Sequence, residues 1–143
     1  MQAVDIYIDT GIKGPKRRHG SYIYKIATTK NGRLYDVGSM DILENTTENS
    51  LTVHALEAAL KRINHPCRLT IWLNCPYAAS VLANRWFDLW AENGWKNSKN
   101  GPVCDAACWQ DIRDMLASHE YEVRLKEHHQ FSDWMKWMLR EKE

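Results

Sequence analysis

The sequence predicts an α/β fold, a five-stranded mixed sheet flanked by helices. Three observations predict it. Alternating apolar and polar segments separated by turn residues occupy the first third of the chain. Strand-like and helix-like segments then alternate, a pattern that favours parallel pairing through right-handed crossovers. The 143 residues, 44% hydrophobic and 26% charged, suit one domain over residues 1–143 that buries a core without metal or disulfide staples.

Val4, Ile6 and Ile8 alternate with Asp5, Tyr7 and Asp9, the period of a first strand. Gly11 and Gly14-Pro15 end it. Ser21 to Thr28 alternates again, and Asn31-Gly32 is a strong hairpin signal leading into a third strand, Arg33 to Ile42. The capping-rich run Thr46 to Ser50 opens a helix with Leu56, Ala59, Leu60 and Ile63 at helical spacing. It stops before His65-Pro66, because a residue preceding proline avoids the α region. Arg68 to Leu73 is a short fourth strand, and Pro76 suits the first turn of the next helix. Tyr77 to Asn93 reads as helix with a break near Asn84, terminated by Gly94. A polar loop, Asn97 to Gly101, precedes a helix over Asp105 to Ser118. Tyr121, Val123 and Leu125 mark the fifth strand, and Ser132-Asp133 caps a last helix carrying Trp134, Trp137 and Met138.

Charge narrows function little. Lys+Arg 19 against Asp+Glu 18 leaves +1, so net charge pulls the chain toward neither nucleic acid nor membrane. No apolar run is long enough to span a bilayer, and the opening MQAVDIYI has no signal-peptide pattern. A cytoplasmic location with reduced thiols and no membrane partner is the expectation. Cys104 and Cys108 would share a helix face, half of a zinc site with Cys67 and His65 as distant candidates. Tight paired-ligand spacing is missing, so packing explains these thiols better. Locally, Lys13 to His19 is a basic loop.

Several motifs together resemble the ribonuclease H family of bacterial HI type. Val4 to Gly11 resembles its first strand, with Asp9 in the slot of a catalytic Asp. His19-Gly20-Ser21-Tyr22 resembles the entry to its second strand, and Thr47 to Ala55 the start of its first helix. Trp86-x-x-x-Trp90-x-x-x-Gly94-Trp95-Lys96, then Pro102-Val103 and Trp109-Gln110, resembles the tryptophan-rich handle that grips the DNA strand of an RNA–DNA hybrid. Core packing accounts for Trp86, Trp90 and Trp109 at this spacing.

The resemblance implies phosphodiester hydrolysis by two magnesium or manganese ions held by four carboxylates, in the order Asp, Glu, Asp, Asp. Asp9 and Asp133 fit the first and last positions and are the metal candidates. Thr52 stands where the Glu is expected and Asn74 where the second Asp is expected. Glu48, one turn before Thr52, is an alternative helix carboxylate, although Thr52 to Asn74 keeps the family's spacing. His128 resembles an assisting loop histidine. Lys16, Arg17 and Arg18, with Trp95, Lys96 and Lys99, are the candidate nucleic-acid contacts.

Three functions remain open on this reading. The first is a nucleic-acid-binding protein, for hybrid or a similar duplex, whose hybrid cleavage is absent or weak and whose magnesium or manganese binding is weak. The second is an active, metal-dependent hybrid endoribonuclease with an altered site. The third is a protein-interaction module on a vestigial nuclease fold, its partner unspecified. The missing carboxylates favour the first.

Overall fold

The computed structural model describes residues 1–141. Its elements run β1 (Gln2–Thr10), β2 (Arg18–Lys30), β3 (Arg33–Thr46), α1 (Glu48–Leu60), β4 (Cys67–Leu73), α2 (Pro76–Asn84), α3 (Trp86–Glu92), α4 (Ala106–Leu116), β5 (Glu120–Leu125) and α5 (Ser132–Glu141). The sheet order is β3-β2-β1-β4-β5. β1 pairs antiparallel with β2 and parallel with β4, and β5 extends the parallel half. The predicted α/β class, mixed sheet and element order are all present.

The two faces of β1 explain the layers. Val4, Ile6 and Ile8 point into a large core with Leu51, Leu56, Leu69, Val81 and Trp109. Tyr7 points the other way, joining Ile23, Ala27, Met135 and Leu139 beneath α5. Each buried large aliphatic or aromatic side chain contributes about 1.5–3 kcal/mol. Helices cover both faces because β1 is apolar on one side, while on the other Tyr7 joins Ile23 and Ala27 of β2 in a smaller apolar patch.

Local signals act where the sequence places them. Asn31 and Gly32 both have positive φ, 54° and 75°, as a two-residue hairpin turn with the twist of its strands requires. The Thr47 side chain caps α1 by accepting from the Ser50 N–H at 3.2 Å. The expected break near Asn84 is Arg85, left-handed at φ 52°, which separates α2 from α3.

Some boundaries differ from expectation. β2 and β3 are longer than their alternating stretches, because the hairpin ladder continues from Lys30↔Arg33 to Arg18↔Thr46 past a bulge. α1 ends at Leu60, well before His65-Pro66, and Ile63 follows it in a turn. α5 buries Met135 and Leu139, which are four apart and face β1 and β2. Trp134 and Trp137 fall to its side and are 40% and 56% exposed.

Candidate nucleic-acid interface

Parallel pairing of β1 and β4 aligns Gln2 with Cys67 and Tyr7 with Trp72. The two strands therefore end side by side, which brings Asp9 and Asn74 together. Ligands of open α/β sheets collect at such carboxyl ends. Here they border an open cavity of about 680 Å³, lined by Asp9, Lys13, Glu48, Asn74, Lys126 and His129 among others. α1, α2 and α5 all begin at its wall, with Glu48, Pro76 and Ser132.

Asp9 is buried and its Oδ1 is heavily used. It accepts from the Thr10 N–H at 2.8 Å, the Lys13 ammonium at 2.9 Å and the Asn74 amide at 3.1 Å. Lys13 also donates to Thr10 Oγ1 at 3.2 Å, while the Thr10 hydroxyl donates to the Ile12 carbonyl at 3.0 Å. Asn74 thus presents its donor side to the carboxylate.

Glu48 and Thr52 divide as the helix geometry dictates. Glu48 opens α1 at the cavity, and its Oε1 accepts from the Gly14 N–H at 3.0 Å. Thr52, one turn on, is 2% exposed and donates to the Glu48 carbonyl at 2.9 Å. It lies outside the cavity wall. Asp133 projects into solvent with its side chain 89% exposed, 3.5 Å from His128 Nε2, itself 72% exposed. The cavity is lined by its neighbour Ser132 and by His128, but not by Asp133. Among the described residues, no three His, Cys, Asp or Glu side chains converge as a metal cluster.

His129, unlike His128, is packed in. Its ring lies 4.3 Å from the Tyr7 ring and 5.6 Å from Trp72, and its Nδ1 accepts from the Phe131 N–H at 3.1 Å. Burial, aided by the adjacent His128, pushes its pKa down to about 4.

The other candidates lie apart from this cavity. Lys16, Arg17 and Arg18 are exposed beyond its wall, with Arg17 donating to the Asn45 carbonyl at 2.7 Å. Trp95 is half-buried and packs on Trp90 at 6.3 Å between ring centres. Lys96 and Lys99 are exposed nearby. Trp109 is fully buried and meets Tyr77, Phe87 and Trp90. Cys67 and Cys75 are buried, and Cys104 is exposed. Cys108 Sγ lies 3.7 Å from His54 Nε2. Burial and the carboxylates of Glu57, Asp105 and Asp111 push the Cys108 thiol up to about 11.

The motif reading missed three cations on the cavity wall, Lys126, Lys136 and Arg140, and placed the fourth, Lys13, only in the basic loop. Lys13 carried a usable signal, lying four residues beyond the strand-ending Asp9. Lys136 and Arg140 are four apart on α5, so one helix face presents both.

Comparison with known proteins places this architecture. Residues 1–131 match the family model described as RNase H. A Ribonuclease H of Clostridium botulinum is 23% identical over 129 residues, 90% of this chain and 85% of that protein. A Ribonuclease H of Caldicellulosiruptor saccharolyticus is 30% identical over 76 residues, 53% of this chain, and the aligned part spans about half (52%) of that protein. Among solved structures, LC9-RNase H1, described as a type 1 RNase H with the type 2 active-site motif, superposes with TM-score 0.77 at 18% identity, covering 98% of this chain and 71% of that one. The foamy viral protease-reverse transcriptase in complex with RNA/DNA hybrid gives TM-score 0.73 at 21% identity, covering 98% of this chain and 19% of that one.

Proposed function

The chain belongs to the RNase H family, and on that premise we propose that it binds nucleic acid, an RNA–DNA hybrid or similar duplex, while hybrid cleavage is absent or weak. One observation carries the reading. The carboxylate at the end of β1 is already matched by an ammonium at 2.9 Å and an amide at 3.1 Å.

The donor set does not suit a pair of divalent cations. Two such ions bring about four positive charges and need several hard anionic oxygens. Asp9 shares its Oδ1 with Lys13, Asn74 is neutral, and Thr52 is buried with its hydroxyl on a helix carbonyl. Asp133 points to solvent.

Binding draws on different features. Duplex recognition by shape uses phosphates and 2′-hydroxyls rather than base edges. Lys16 and Arg17 on the loop before β2, with Arg18 at its first position, offer exposed positive charge, and Lys96 and Lys99 offer more beside the half-buried Trp95. The relative in complex with RNA/DNA hybrid shares this fold.

A second reading, a working but altered nuclease, is favoured by Glu48. It lines the same cavity as Asp9 and supplies a carboxylate that Thr52 does not. The test is hybrid cleavage and hybrid binding, each in magnesium and in manganese, for the natural chain and for Lys13→Ala/Asn74→Asp. Binding without turnover in the natural chain supports the proposal, and turnover gained by the variant supports the register of Asp9 and Asn74. Robust cleavage by the natural chain favours the second reading.

A further inference from the structure

A cleft built to hold divalent cations collects negative charge. This one holds three carboxylates, Asp9, Glu48 and Glu127, against four permanent cations, Lys13, Lys126, Lys136 and Arg140. One carboxylate is matched from within, because Lys13 stands on Asp9 at 2.9 Å. Glu48 is engaged by the Gly14 backbone N–H. Among the described residues, Lys126, Lys136 and Arg140 form no ion pair, whereas the exposed Lys61, Arg85, Arg113 and Arg124 each do.

The placement of Lys13 is specific. A lysine carries three N–H donors. Two are used, on Asp9 Oδ1 and on Thr10 Oγ1. The Thr10 hydroxyl has committed its own proton to the Ile12 carbonyl, so its oxygen can only accept from Lys13. The third N–H remains for a ligand, and the Lys13 side chain is 57% exposed at the cavity wall. A tethered ammonium is positioned in advance, which lowers the ordering cost of anion binding.

We propose that this cavity seats a phosphodiester group of a bound strand without a divalent cation, with the Lys13 ammonium on Asp9 supplying charge where family members use metal and Lys126, Lys136 and Arg140 supplying the rest. This rests on the nucleic-acid-binding reading above. It separates binding from metal, since the cation is part of the chain.

The test is fluorescence anisotropy of a labelled RNA–DNA hybrid, titrated in magnesium and in EDTA. The natural chain binds equally well in both. Lys13→Gln weakens binding about tenfold and lowers the salt slope by about one, as loss of one phosphate contact does. Lys13→Arg restores it, and Lys136→Ala/Arg140→Ala weakens it with folding verified by circular dichroism. Unchanged affinity in Lys13→Gln and in Lys136→Ala/Arg140→Ala overturns this seat while leaving hybrid binding elsewhere intact. Binding that collapses in EDTA overturns it too. No hybrid binding by the natural chain overturns the parent reading as well. Inorganic phosphate is the remaining arm: low-millimolar phosphate that stabilises the protein and displaces the hybrid marks a free-phosphate site and overturns the assignment to a strand.

Discussion

The Lys13 ammonium rests 2.9 Å from the Asp9 carboxylate, at the wall of a cavity that both share with Glu48, Lys136 and Arg140. Removing that ammonium and restoring a carboxylate beside it reverses the charge balance. Magnesium therefore leaves the melting temperature of the natural chain within about 1 °C, whereas it raises that of Lys13→Ala/Asn74→Asp in a dose-dependent way. Thermal melts over a magnesium series check this.

Thr52→Glu destabilises. The site is 2% exposed and its hydroxyl donates to the Glu48 carbonyl. A carboxylate there is buried without a cation, at a cost of roughly 3–5 kcal/mol. Thr52→Val removes only one hydrogen bond and costs about 1 kcal/mol. Urea denaturation of both variants separates the two cases.

His129 makes stability depend on pH. Its pKa falls from the ordinary 6.5 to about 4 through burial and His128. Between those values the unfolded chain takes up more protons than the folded one. The His129 contribution is complete above pH 6.5 and is lost as pH falls toward 4, on the order of 2 kcal/mol. His129→Gln has a lower urea midpoint at pH 7 and a smaller further loss at pH 4.5 than the natural chain.

Cys108 is a slow nucleophile. Its thiol is held at about 11 by burial and by Glu57, Asp105 and Asp111. Alkylation of the folded protein at pH 8 reaches the exposed Cys104 first and leaves Cys108 largely unmodified, as peptide mass mapping of the time course records.

Trp109 and Trp95 separate packing from contact. Trp109 is fully buried among Tyr77, Phe87 and Trp90, so Trp109→Ala costs about 3–5 kcal/mol in chemical denaturation. Trp95→Ala, at a half-buried position packed on Trp90, costs less and lowers hybrid affinity.

The fold was legible because its signals are local. The alternation around Ile6, the Asn31-Gly32 turn and the Thr47 cap each act within a few residues, and the structure uses all three. Strand lengths were less legible, since the β2–β3 ladder continues by pairing and not by composition. On α5 it is Met135 and Leu139 that are buried against the sheet, while Trp134 and Trp137 stay 40% and 56% exposed. Within the cavity, the proximity of Asp9 to Asn74 follows from strand register. The convergence of Lys13, Lys126, Lys136 and Arg140 depends on two loops and α5 meeting at one wall, which spacing along the chain does not encode.

The most direct test of the central claim is a single incubation of the natural chain with an end-labelled RNA–DNA hybrid in magnesium, followed in parallel by denaturing gel and by anisotropy. The account predicts a bound hybrid that stays intact, with salt-dependent affinity. Rapid cleavage of the RNA strand at low enzyme concentration contradicts it.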